Sequence, residues 1–120
     1  MRLLLFTAIS LCAGAPALAQ PVCTEPPLPP PVDGTNVKPD QLRAAVAAAK
    51  GFIAESDVYQ NCLMGELDAA KTQAGTEGHP LDPTVESQTR LRLAANQKTK
   101  EKVGTEINIA IDVFKKTHVK

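Results

Sequence analysis

Hydrophobic and polar positions follow three regimes along this chain. Leu3 to Cys12 is an almost unbroken apolar run, Gln20 to Lys38 is dominated by proline, and from Pro39 onward the apolar residues become periodic. In the periodic part, Leu42, Val46, Ala49, Ile53, Ser56, Leu63, Leu67 and Ala70 are apolar or small at helical spacing. A neighbouring stripe of Ala45, Phe52, Tyr59 and Cys62 widens that face beyond a narrow coiled-coil seam. Pro39 and Asp40 suit a first helical turn, so a long helix is predicted from Pro39 to about Gln73. Gly75, Gly78 and Pro80 end it, leaving Ala74 to Leu81 as a short connection.

Asp82 before Pro83 is an N-cap and first-turn signal. Val85, Leu93, Val103, Ile107, Ala110, Ile111 and Phe114 then recur at helical spacing, predicting a second helix to about Lys116. Ile107, Ile109, Ile111 and Val113 also alternate like a strand, but a lone strand would have no partner. Gly104 weakens the helix by about 1 kcal/mol and marks a kink or a close contact. A short loop between long helices makes them antiparallel neighbours. The surplus of acids on the first helix and of bases on the second favours the same pairing.

The arm of Gln20 to Lys38 carries Pro21, Pro26, Pro27, Pro29, Pro30 and Pro31, which excludes helix and central strand and predicts polyproline II. Asp33-Gly34 reads as a turn. A PxxP ligand is the sharp reading of Pro26 to Pro31, and a stiff arm packed on the fold is the preferred one. The expected fold is therefore all-α: an antiparallel two-helix hairpin over residues 39–120, with the Pro-rich arm of residues 20–38 packed back along the first helix.

Composition and charge then bear on compartment. Arg2, the apolar run and the small-x-small pattern Ala17-Leu18-Ala19 make a cleavable secretory signal over residues 1–19, cut between Ala19 and Gln20. The run is too short to span a bilayer, so the mature chain is expected in the periplasm or outside the cell, with no membrane insertion. Losing Arg2 takes the bases from 13 to 12 against 13 acids, a charge that argues against nucleic acid as a partner. Cleavage also removes Cys12 and turns three cysteines into one pair, Cys23 and Cys62, which an oxidising compartment would join. The arm can reach: about 45 Å of extended chain covers the roughly 35 Å from Pro39 to Cys62 along a helix.

Cys23, Asp33-Gly34, Phe52-Ile53, the Tyr59-Gln60-Asn61-Cys62-Leu63 run, Asn96 and Asn108 together resemble a group of small exported proteins of Gram-negative bacteria, largely uncharacterised. The resemblance spans most of the mature chain, with Val32 where the group has Pro before its turn. It implies a disulfide-pinned helical hairpin and supplies no activity.

Candidate chemistry is sparse. His79 and His118 lie far apart with no second His or Cys at i+3 or i+4, and Met64 beside Cys62 falls short of a soft-metal cluster. Glu55 with Asp57, and Glu66 with Asp68, diverge on a helix and read as solvated faces. No Ser, His and Asp set suggests a triad, so neither catalysis nor a cofactor is expected. Lys98, Lys100 and Lys102 form a basic face that could meet an anionic envelope polymer. Asn96 and Asn108, with Tyr59, are candidates for partner recognition or for contacts between the helices. The resulting expectation is a non-enzymatic periplasmic structural or protein-interaction module that engages a protein partner or itself. The alternative is a small binding or envelope-stress factor acting through His79, Met64 or the lysine face.

Overall fold

A computed structural model describes residues 22–118. The secretory signal and cleavage point expected from the sequence lie outside the described residues. Among the described residues, two helices make up the regular structure: α1, Pro39–Glu77, and α2, Pro83–His118, packed against each other along their length.

Each helix end has a local cause. At the start of α1, Pro39 occupies the first turn, where its missing N–H costs nothing, and the Gln41 side chain accepts the backbone N–H of Lys38 at 3.0 Å. At its end the helix runs past Gln73 and through Gly75 to Glu77. Gly78 adopts the left-handed conformation (φ 78°), and the backbone N–H groups of Gly78 and His79 close onto Gly75 and Ala74 oxygens. Gly75 keeps helical geometry, so the connection is shorter than the sequence pattern suggested. α2 opens on Asp82, whose Oδ1 accepts the N–H of Thr84 at 2.8 Å, and extends to His118, slightly beyond the expected Lys116. It is continuous through Gly104, where an added Cβ would meet only the Ile53 side chain at 3.9 Å.

Packing follows two sets of positions spaced by seven. Leu42, Ala49, Ser56 and Leu63 of α1 are buried, as are Thr89, Asn96, Val103 and Ala110 of α2. A seven-residue repeat holds one seam of a helix toward its partner, the geometry of an antiparallel coiled coil. The buried residues fall into three apolar clusters. One surrounds Val37, Leu42 and Ala110, a second Ala49, Phe52 and Val103, and a third Cys23, Tyr59 and Leu63. Between the last two lies a polar layer. Gln60 Nε2 donates to Asn96 Oδ1 at 2.8 Å and to Gln97 Oε1 at 3.2 Å, and Asn96 Nδ2 donates to Ser56 Oγ at 3.4 Å. Beside it, Lys100 reaches Asp57 at 2.6 Å. Every polar atom of this layer that is removed from water has a partner, which is the condition for burying it without a large cost.

The arm runs antiparallel to α1 and touches both helices. From Val22 to Asp33, Cys23, Pro26, Pro29 and Val32, every third residue, are its less exposed positions, while the residues between them face solvent. That spacing matches the three residues per turn of polyproline II, so one edge of the arm is buried and two are free. At one end Cys23 is joined to Cys62 by a disulfide across a sequence separation of 39. At the other, the turn at Gly34 presses on α2: an added Cβ would stand 2.1 Å from the Ala110 carbonyl oxygen, so only glycine fits.

Candidate functional site

Two features near the arm are candidates for function: a polar clasp at its start and shallow apolar grooves along its sides. Tyr59, Cys62 and Glu66 follow each other at i, i+3 and i+7 on α1 and therefore share the face turned to the arm. The Cys23 N–H donates to Glu66 Oε1 at 3.2 Å, and the disulfide holds the same residue with a Cα–Cα distance of 5.7 Å. From α2, Arg92 closes the arrangement. Its Nε donates to the Tyr59 hydroxyl at 3.2 Å, its Nη2 to the Cys23 carbonyl at 3.5 Å, and its guanidinium lies 5.6 Å from the Tyr59 ring centre and 3.9 Å from Glu66 Oε2. One cation thus ties arm, α1 and α2 together. Sequence reasoning missed Arg92, because its partners are set by the antiparallel register and lie 33 and 69 residues away. The surplus of bases on α2 was the only trace of it.

Along the arm, Pro29 to Gly34 line a groove of about 300 Å³ with Ala49, Val103, Ile109 and Val113. On the α1 side a wider groove of about 600 Å³ runs between Pro30 to Val32 and Val37, Ala44, Ala45 and Ala48. Near the clasp, Val22, Pro27 and Val58 border a third groove, and Val22 and Val58 are 84% and 69% exposed. The lining is mostly apolar, with Asp33 and Glu106 on the first groove and Glu25 and Glu55 on the third. In the turn, Asp33 Oδ1 accepts the Thr35 N–H at 2.9 Å, a bond that holds its carboxyl below the usual range. Glu106 borders the first groove together with Asp33 and lies 3.7 Å from Lys102. Such a surface can bury an extended apolar segment.

The residues singled out in the sequence take different places. Asn96 and Tyr59 are buried, the first in the interhelical polar layer and the second in the clasp. Asn108 is exposed and does not join them. His79 sits in the connection, where its ring contacts the Pro80 carbonyl at 3.0 Å and Glu77 Oε2 at 2.8 Å. Both raise its pKa, and Glu77, bonded to Gln73 and His79, is lowered. His118 stacks on Phe114 with ring centres 4.1 Å apart, at the opposite end of the hairpin from His79. Met64 is exposed on α1. Of the three lysines, Lys100 is paired with Asp57 and Lys102 lies 3.7 Å from Glu106 on its own helix. Glu55 and Asp57 diverge, one toward the groove at the clasp and the other toward Lys100. No protein-family model, curated protein or solved structure matches this chain.

Proposed function

We propose that this protein is an exported, non-enzymatic interaction module of the periplasm, in which a stiff helical hairpin presents the grooves beside its clasped arm to an extended apolar segment of a protein partner. The observation that carries this reading is the groove between the arm and α2. Pro29 to Gly34 form one wall, Val103, Ile109, Ala110 and Val113 form the other, and Ile109 is 56% exposed at its rim. An apolar lining left open to water at the edge of a small fold is a surface that gains stability when covered. The rigid walls keep the entropic cost of covering it low.

Two features support the compartment: the disulfide and the signal-like segment both fit an oxidising space. The experiment is affinity capture from a periplasmic extract with the wild-type chain and with Ile109→Asp. The reading expects one or more proteins retained by the wild type and lost with the variant, at unchanged thermal midpoint. Equal retention by both chains refutes the groove as the contact. Recovery of the chain from the cytosolic fraction, with its first 19 residues intact, refutes the compartment.

A further inference from the structure

Glu66 serves the clasp, yet its position beside two sulfurs has chemical consequences of its own. The Sγ atoms of Cys23 and Cys62 and a carboxylate oxygen of Glu66 all lie within 4.8 Å of one another. Two soft thiolates and one carboxylate are a donor set for Zn²⁺, which accepts three protein ligands and leaves a fourth position to water. With Zn–S near 2.3 Å and Zn–O near 2.1 Å, ligand atoms around a tetrahedral ion stand about 3.5–3.8 Å apart. Once the disulfide is reduced, the two sulfurs part from bonding distance to that spacing by side-chain rotation, which cysteine Cα atoms 5.7 Å apart permit. We propose that the reduced form of this protein binds one Zn²⁺ through Cys23, Cys62 and Glu66, so that a metal ion replaces the disulfide as the clasp of the arm.

The chemistry balances with a dithiol as reductant. The dithiol gives two electrons and two protons, the Cys23–Cys62 bond breaks, two thiols form, and the dithiol becomes a disulfide. Zn²⁺ then displaces the two thiol protons to water and forms two Zn–S bonds and one Zn–O bond. Charge favours the loaded site: two thiolates and a carboxylate carry three negative charges, which Zn²⁺ and the neighbouring Arg92 guanidinium cancel. Support from outside the ligands is in place as well. The Cys23 N–H holds Glu66 Oε1, and Arg92 lies against Oε2 while donating to the Cys23 carbonyl. Cys62 and Glu66 are half-buried, so the ion has an entry path and a water-facing position. Binding does not depend on the groove between the arm and α2, whose walls share no residue with the three ligands.

The test compares the oxidised chain with the chain reduced by a phosphine, which adds no competing thiol. Cd²⁺ is the probe because its thiolate bonds absorb in the ultraviolet. The reduced chain should develop the thiolate-to-Cd²⁺ band to an endpoint of one ion per chain with release of two protons, and the oxidised chain should show neither. Zn²⁺ should then displace Cd²⁺ and raise the thermal midpoint of the reduced chain. Glu66→Gln should weaken the binding at least about tenfold, whereas Glu55→Gln, on the same helix and outside the triad, should leave it unchanged. An endpoint of half an ion per chain with dimer formation, a band insensitive to Glu66→Gln, or no band at all overturns the proposal. The oxidised wild type serves as the folded control, so the outcome does not rest on a cysteine variant that fails to fold.

Discussion

Gly34 is the position where a single methyl group tests the architecture. A Cβ there would lie 2.1 Å from the Ala110 carbonyl oxygen, 2.9 Å from its carbon and 3.0 Å from the Phe114 nitrogen. A carbon and an oxygen rest in contact no closer than about 3.3 Å, so Gly34→Ala must open the gap between turn and helix by more than 1 Å. All three obstructing atoms belong to the backbone of α2, and no rotamer change can relieve them. The turn lifts instead and loosens the cluster of Val37, Leu42 and Ala110 with Val32 and Phe114 around it. Overpacking usually costs about 1–3 kcal/mol, and the upper end applies where backbone meets backbone. For a domain of this size that corresponds to a fall of roughly 10–20 °C in the thermal midpoint. Circular dichroism melting of the oxidised chain measures it. Removing the Ala110 side chain with Ala110→Gly should not rescue Gly34→Ala, because the clash is not with that side chain. A midpoint within about 1 °C of wild type, or rescue by Ala110→Gly, refutes the close approach.

Four further outcomes are expected. Cys62→Ser opens a loop of 39 residues and should cost about 4 kcal/mol in oxidised urea melts; the difference from wild type should vanish in reductant, and a gap that persists there would point to lost packing instead. Asn96→Ala leaves Gln60 and Ser56 short of a partner in the polar layer and should cost about 1–3 kcal/mol; a double variant with Ser56→Ala that proves strictly additive would show that the two do not interact. Gly51, Gly65 and Gly75 are helical with nothing within 4 Å of an added Cβ, so alanine at each should stabilise by roughly 0.4–1 kcal/mol, while Gly78→Ala, at φ 78°, should destabilise. His79 should titrate above 6.5 by NMR. Because its folded pKa is raised, its contribution is full below that pH and is lost as pH rises through the folded value. Glu77→Gln should bring the titration down only in part, since the Pro80 carbonyl is the larger cause; a fall to the ordinary histidine value would refute that order.

Much of the fold was legible in local signals. Pro39 and Asp82-Pro83 mark the helix starts, the helical spacing that includes Leu42, Ala49, Ser56 and Leu63 marks the buried face, and the proline run marks the extended arm. These features act within a turn or two of chain, so their physics is contained in neighbouring residues. The cysteine pairing was legible for another reason: if the expected leader is set aside, two cysteines remain and only one pairing exists. The end of α1 was less so. Gly75 and Gly78 are both plausible stops by residue type, and what separates them is which one adopts positive φ and lets the following N–H groups reach back to Ala74 and Gly75.

What the tertiary structure alone decided are the contacts that depend on register. Arg92 became the tie between three segments, Lys100 took a partly buried place beside Asp57, and Asn96 entered the interhelical layer while Asn108 stayed outside it. Each outcome depends on which residues of α1 stand opposite a given turn of α2, a quantity set by the joint packing of both helices. The glycine requirement at Gly34 has the same origin. The sequence by itself marks that residue as a turn, whereas its closeness to the Ala110 backbone exists only once the arm lies on the finished hairpin.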